Sequence, residues 1–101
     1  MAGQIMPIAT RAQHETDEQV LLNLLNIPNP TVPMLMAERQ DLSEAVLSEL
    51  ANHRRADVRL KVLHHNGGNF PLSTVMEMLN DIHPDVRNEA ANIIRQQENN
   101  Q

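Results

Sequence analysis

"ADVRLKVLHHNGG", Ala56 to Gly68, decides how this chain folds. Val58, Leu60 and Val62 alternate with Arg59 and Lys61, which is the period of a half-buried strand. Leu63 breaks the alternation. The closing Asn-Gly-Gly ends a helix as readily as it turns a hairpin. The same neighbourhood holds Arg54, Arg55, Arg59 and Lys61, four of the eight Lys and Arg residues in the chain. Strand or helix here therefore settles both the fold class and the geometry of a basic island.

A second copy resolves the ambiguity. Val58-Arg59 and Val86-Arg87 lie 28 residues apart. At that offset Asp57 meets Asp85, Asn52 meets Asn80, Glu49 meets Glu77, Leu50 meets Met78, and Val62 and Leu63 meet Ala90 and Ala91. In "HPDVRNEAANIIRQQ", Pro84 stands at a helix start and Asp85 in the first turn, and Val86, Ala90, Ile93 and Ile94 follow at helical spacing. A recurring unit of this length implies a helical array, so "ADVRLKVLHH" is predicted to be helical too. Its two apolar edges, Val58/Val62 and Leu60/Leu63, suit an inner helix packed between two neighbours. Val58, Val62, Val86 and Ile93 are the expected core. "NGGN" then becomes a helix stop, with Gly67 expected in the left-handed conformation.

Working outward, Met1 to Gln13 reads as a mobile arm without sustained periodicity, interrupted by Pro7. Residues 14–97 read as a single helical-repeat domain, and 98–101 as a frayed tail. Thr16 or Asp17 caps a helix through "VLLNLLN", which is apolar on nearly every face. Pro28, Pro30 and Pro33 stop it, and Pro33 suits the first turn of the next helix, "PMLMAERQ". Asp41 and Glu44 resemble a capping box for "LSEAVLSELAN", whose expected stripe is Leu42, Ala45, Val46 and Leu50. Pro71 opens "PLSTVMEMLN".

Residues 29–96 resemble bacterial leucine-rich-repeat-variant and HEAT-like repeats. The likeness rests on "DVRLKVLHHN" followed by Pro71, on "DVRNEAANI", and on the similar turn "NPTVPMLM" one unit earlier. It implies an all-α fold: a short right-handed stack of about five to six helices, with no catalytic residue. The 28-residue spacing exceeds that of compact variant repeats. Cysteine-rich cluster-binding segments found in some variant-repeat proteins have no counterpart here.

Composition agrees with helix packing. The chain has 101 residues and 41 % apolar content, enough for one small domain. Phe70 is its sole aromatic, so the core is built from Leu, Val, Ile, Met and Ala. Without cysteine there are no disulfides and no thiolate metal sites; this fits a reducing cytoplasm. No run approaches 18 apolar residues, and the start lacks the apolar core of a secretion signal.

Net charge is −5, unevenly spread. Residues 51–70 carry Asp57 against four cations, while both flanking segments are acidic. The charges are therefore able to satisfy one another, or to meet an external anion. Arg59 and Arg87, the repeated arginines, are expected to pair with acids of their own or the adjacent unit. Arg54, Arg55, Lys61, His64 and His65 are the candidate partner-binding residues, for an acidic protein segment. Nucleic acid bound along residues 54–61 is the alternative, disfavoured by the net charge and the missing aromatics. His64 and His65 point about 100° apart on a helix, which does not suit one metal ion. Met34, Met36, Met76 and Met78 form two Met-x-Met pairs, suited to core packing or an adaptable groove. No nucleophile elbow or phosphate-binding loop is present. The expected function is a non-catalytic protein–protein interaction scaffold without metal or cofactor, closed at an uncapped end by a partner or a second copy.

Overall fold

The computed structural model describes residues 7–99. Among them are seven α-helices and no strand: α1 (Ile8–His14), α2 (Glu18–Leu24), α3 (Thr31–Ala37), α4 (Glu44–Ala51), α5 (Ala56–Asn66), α6 (Leu72–Glu77) and α7 (Pro84–Asn99). Two 3-10 turns, Gly67–Asn69 and Met78–Asn80, follow α5 and α6. The alternating stretch at Val58 to Leu63 is helical, as the second copy predicts.

Packing follows a simple order. The odd helices touch in succession, α1 on α3, α3 on α5 and α5 on α7. The even helices flank them: α4 lies on α5, α6 on α7, and α2 reaches α4. The molecule measures 53 × 27 × 16 Å with a radius of gyration of 14.6 Å. A spherical domain of this length has about 13 Å, so the helices form an elongated slab. One core runs along it, including Val32, Met36, Leu50, Val58, Val62, Leu63, Val75, Val86 and Ala90. Val58, Val62 and Val86 are fully enclosed and Ile93 is nearly so.

Several local expectations are corrected. Ile8 to Gln13, read as a mobile arm, belong to α1. Ala12 is small enough to let α1 settle on α3, and it is fully buried. This helix takes the number past the expected five to six. Of the two expected caps of α2, Asp17 is the one used, accepting from the backbone N–H of Gln19 and Val20. Ser43, not Asp41, caps α4, accepting from the Val46 N–H. Asp41 is instead held by Arg39 at 2.8 and 2.9 Å, which removes it from the cap. In α4 the buried stripe is Val46, Leu47, Leu50 and Ala51, while Ala45 is exposed. α7 continues through Glu98 and Asn99, where fraying was expected. Met1 to Met6, Asn100 and Gln101 lie outside the described residues.

Gly67 departs from expectation for a steric reason. Its φ is −53°, an ordinary right-handed value open to any residue. A β-carbon there, however, lies 2.6 Å from Cδ1 and 2.8 Å from Cγ1 of Ile93. Glycine is favoured because the Ile93 side chain of α7 packs against this backbone, not because the turn is left-handed.

Candidate functional site

The turn that precedes α5 neighbours the turn before α3 on one side and the turn before α7 on the other. Successive turns leave a groove between them. The first, of about 730 Å³, is lined by Asn23, Asn26, Ile27, Pro28 and Asn29 on one side and Glu49, Asn52, His53, Arg54 and Arg55 on the other. The second, of about 560 Å³, lies between Asn52, His53 and Arg54 and the segment Thr74, Glu77, Met78, Asn80, Asp81 and Ile82. Asn52, His53 and Arg54 wall both grooves.

Hydrogen bonds at the α5 and α7 turns repeat at the 28-residue offset. The His53 carbonyl accepts from Arg59 Nη1 at 2.7 Å, and the Asp81 carbonyl accepts from Arg87 Nη1 at 2.7 Å. His53 Nδ1 accepts from the Arg55 N–H, and Asp81 Oδ1 accepts from the His83 N–H. One element is not duplicated. Arg59 donates Nε and Nη2 to both Asp81 oxygens at 2.8 and 2.9 Å, with both side chains about 10 % exposed. This fork ties the turn before α5 to the turn before α7. The Arg59 hydrogen bond holds the Asp81 carboxyl below its usual range, against the opposing effect of burial.

The five candidate binding residues are not brought into one patch. Arg54 and Arg55 sit on the turn, at the grooves. His64 and His65 lie at the other end of α5, about 15 Å along its axis. Arg55 is exposed and forks onto Asp57 at 2.8 and 3.0 Å. Lys61 is half-buried rather than exposed, 2.7 Å from Glu38. His64 Nδ1 is 3.5 Å from Glu89, and the His65 carbonyl accepts from Gln40 Nε2. Hydrogen bonds from Lys61 and Arg55 lower the Glu38 and Asp57 pKa values. His53 is depressed first by burial and then by Arg54 and Arg55, which favours the neutral imidazole. Much of the basic island is thus matched by the chain's own acids.

Two residues escaped the sequence reading. Asp81 belongs to none of the motifs above, yet it holds Arg59. Asn66 is 1 % exposed, donating Nδ2 to the Ala37 carbonyl at 2.9 Å and accepting from Asn69. It satisfies a carbonyl left open at the end of α3. The two Met-x-Met pairs each split, Met36 and Met78 being buried, Met34 half-buried and Met76 exposed. Among the described residues, no three His, Asp or Glu side chains converge on a common metal position, and no helix is long and apolar enough to cross a membrane. No family model, curated protein or solved structure matches the chain.

Proposed function

We propose that this chain is a non-catalytic protein–protein interaction scaffold of the cytoplasm. In this reading it is a short right-handed helical stack similar to bacterial leucine-rich-repeat-variant and HEAT-like repeats. The observation that carries the reading is the duplicated hydrogen bonding at His53 and Asp81. Each of these bonds fixes a turn to the helix that follows it, the Arg59–Asp81 fork ties the two turns together, and two open grooves lie between successive turns. Rigid stacks of this kind present ridged surfaces to partners. Arg54 and Arg55, on the turn at the grooves, supply positive charge for an acidic partner, with Arg55 shared with Asp57.

The test is recovery of partners from native cells with the full chain as bait. Protein partners should be retained, and capture should weaken in R54S/R55S/K61S and at raised salt. Retention on duplex DNA with a steep salt dependence, and no protein recovered, would replace this reading by the nucleic-acid alternative.

A further inference from the structure

Three of the four island cations are already matched within the chain: Arg55 by Asp57, Arg59 by Asp81 and Lys61 by Glu38. Arg54 is the fourth. It is exposed, and among the described residues it makes no ion pair. It also stands where the two grooves meet.

The first groove is rich in donors. Asn29 Oδ1 accepts from the Thr31 N–H and Asn23 Oδ1 from Gln19 Nε2, so each side-chain NH2 group keeps its donor capacity. Asn52 donates to the Ser48 carbonyl and keeps its own oxygen as an acceptor. Side-chain amides of this kind match a peptide backbone, which needs both donors and acceptors. Arg55 is paired with Asp57, so among the described residues Arg54 is the unmatched cation of this groove, with Glu49 as the other charged residue of its lining.

The second groove differs. Ile82 is 90 % exposed, the most exposed large apolar residue described, with Ala51 and Met78 beside it. Ile82 is the residue 28 positions after Arg54, so the two occupy the tips of consecutive turns. A fork for a carboxylate and an exposed apolar tip thus stand on opposite sides of one groove.

We propose that Arg54 anchors an extended acidic peptide segment of a partner protein. A Glu or Asp carboxylate of that segment pairs with the Arg54 guanidinium, and an adjacent apolar side chain covers Ile82. The inference rests on the scaffold reading and specifies its partner. A nucleic acid fits less well, because its affinity comes from many phosphate contacts, the grooves offer one unpaired cation among the described residues in Arg54, and Ile82 offers nothing to phosphate.

The test titrates the isotope-labelled full chain with the capped peptide Glu-Glu-Leu-Glu-Glu-Leu, followed by amide chemical shifts. Shifts should cluster at residues 26–29, 52–55 and 80–83. R54S should weaken binding about tenfold or more, since it removes a forked, charge-assisted pair. R54K, which keeps the charge and loses the fork, should fall between. I82S should weaken binding less, and R11S, an equal charge loss on α1, should leave it unchanged. All four variants should keep the thermal midpoint of the parent. R54S binding like the parent, or shifts confined to Leu72 and Met76 on α6 and Leu79 in the 3-10 turn after it, overturns the proposal. So does octathymidylate binding as tightly at the same residues. If the peptide fails while native protein partners are still recovered, this site is rejected and the scaffold reading stands.

Discussion

The α4–α5 and α6–α7 pairs start 28 residues apart, at Glu44 and Leu72 and at Ala56 and Pro84, yet they bury different faces. α5 lies between α3 and α7, and encloses Val58, Arg59, Val62, Leu63 and Asn66. α7 has an odd-numbered neighbour on one side only, and buries the single stripe Val86, Ala90 and Ile93. The outer helices differ in the opposite sense. Where α4 and its turn carry Glu44, Ser48, Ala51 and Arg54, α6 and its turn carry the exposed Leu72, Met76, Leu79 and Ile82. A helix pattern thus records how many neighbours a helix has. Two neighbours blur the 3.6-residue period of α5 into apparent alternation, whereas one neighbour leaves it clean in α7.

The contrast is broken most directly at Leu63, fully enclosed in α5. Leu63→Ala should cost about 2–5 kcal/mol in urea unfolding. Ile94→Ala, on the half-buried side of α7, should cost less than half as much. Equal losses would show that α7 is covered on both sides.

The turns come next. Asp81→Ala strands the nearly buried Arg59 guanidinium and should cost about 3 kcal/mol. Its counterpart His53→Ala removes one acceptor for a backbone N–H and should cost about 1 kcal/mol. If the two cost the same, the Arg59 fork contributes nothing beyond the duplicated bonds.

Gly67→Ala should cost about 1–2 kcal/mol by overpacking against Ile93. Ile93→Val removes Cδ1, the nearest obstructing atom, so the double variant should lose less than the two single losses combined. Additive losses would place the strain elsewhere.

The smallest effect is on pH. Asp81, Asp57, Asp41 and Glu38 all titrate lower in the folded chain, each through a hydrogen bond from Arg or Lys. The unfolded chain then binds more protons, so this stabilisation is complete above the ordinary carboxylate range and is lost as pH falls through about 4. His53, also lowered, contributes in the same sense: stability drops as pH falls below about 6.5. His53→Gln should remove the upper step and leave the lower one. An upper step that persists assigns it to another histidine.

Much of the fold was legible from Ala56 to Gln97. The 28-residue offset, Pro84 and the Val86, Ala90, Ile93 spacing led to helices and to a correct inner core. Helix period and proline placement are local properties, so the sequence by itself determined the helical class, the chain breaks at Pro28, Pro30 and Pro33, and which face of α7 is buried. The grooves and the pairings were not legible, because they depend on how deeply one helix seats against another. Only the tertiary structure decided that Arg59 meets Asp81 22 residues away, that Lys61 reaches back to Glu38, and that Asn66 serves the Ala37 carbonyl. It likewise decided that Gly67 is favoured by the packing of Ile93 rather than by its own φ, and that Arg54 alone of the island cations is left without an acid among the described residues. The physical reason is the same in each case. A side chain's polarity is written in one position, but its partner is supplied by a segment that only close packing brings within 3 Å.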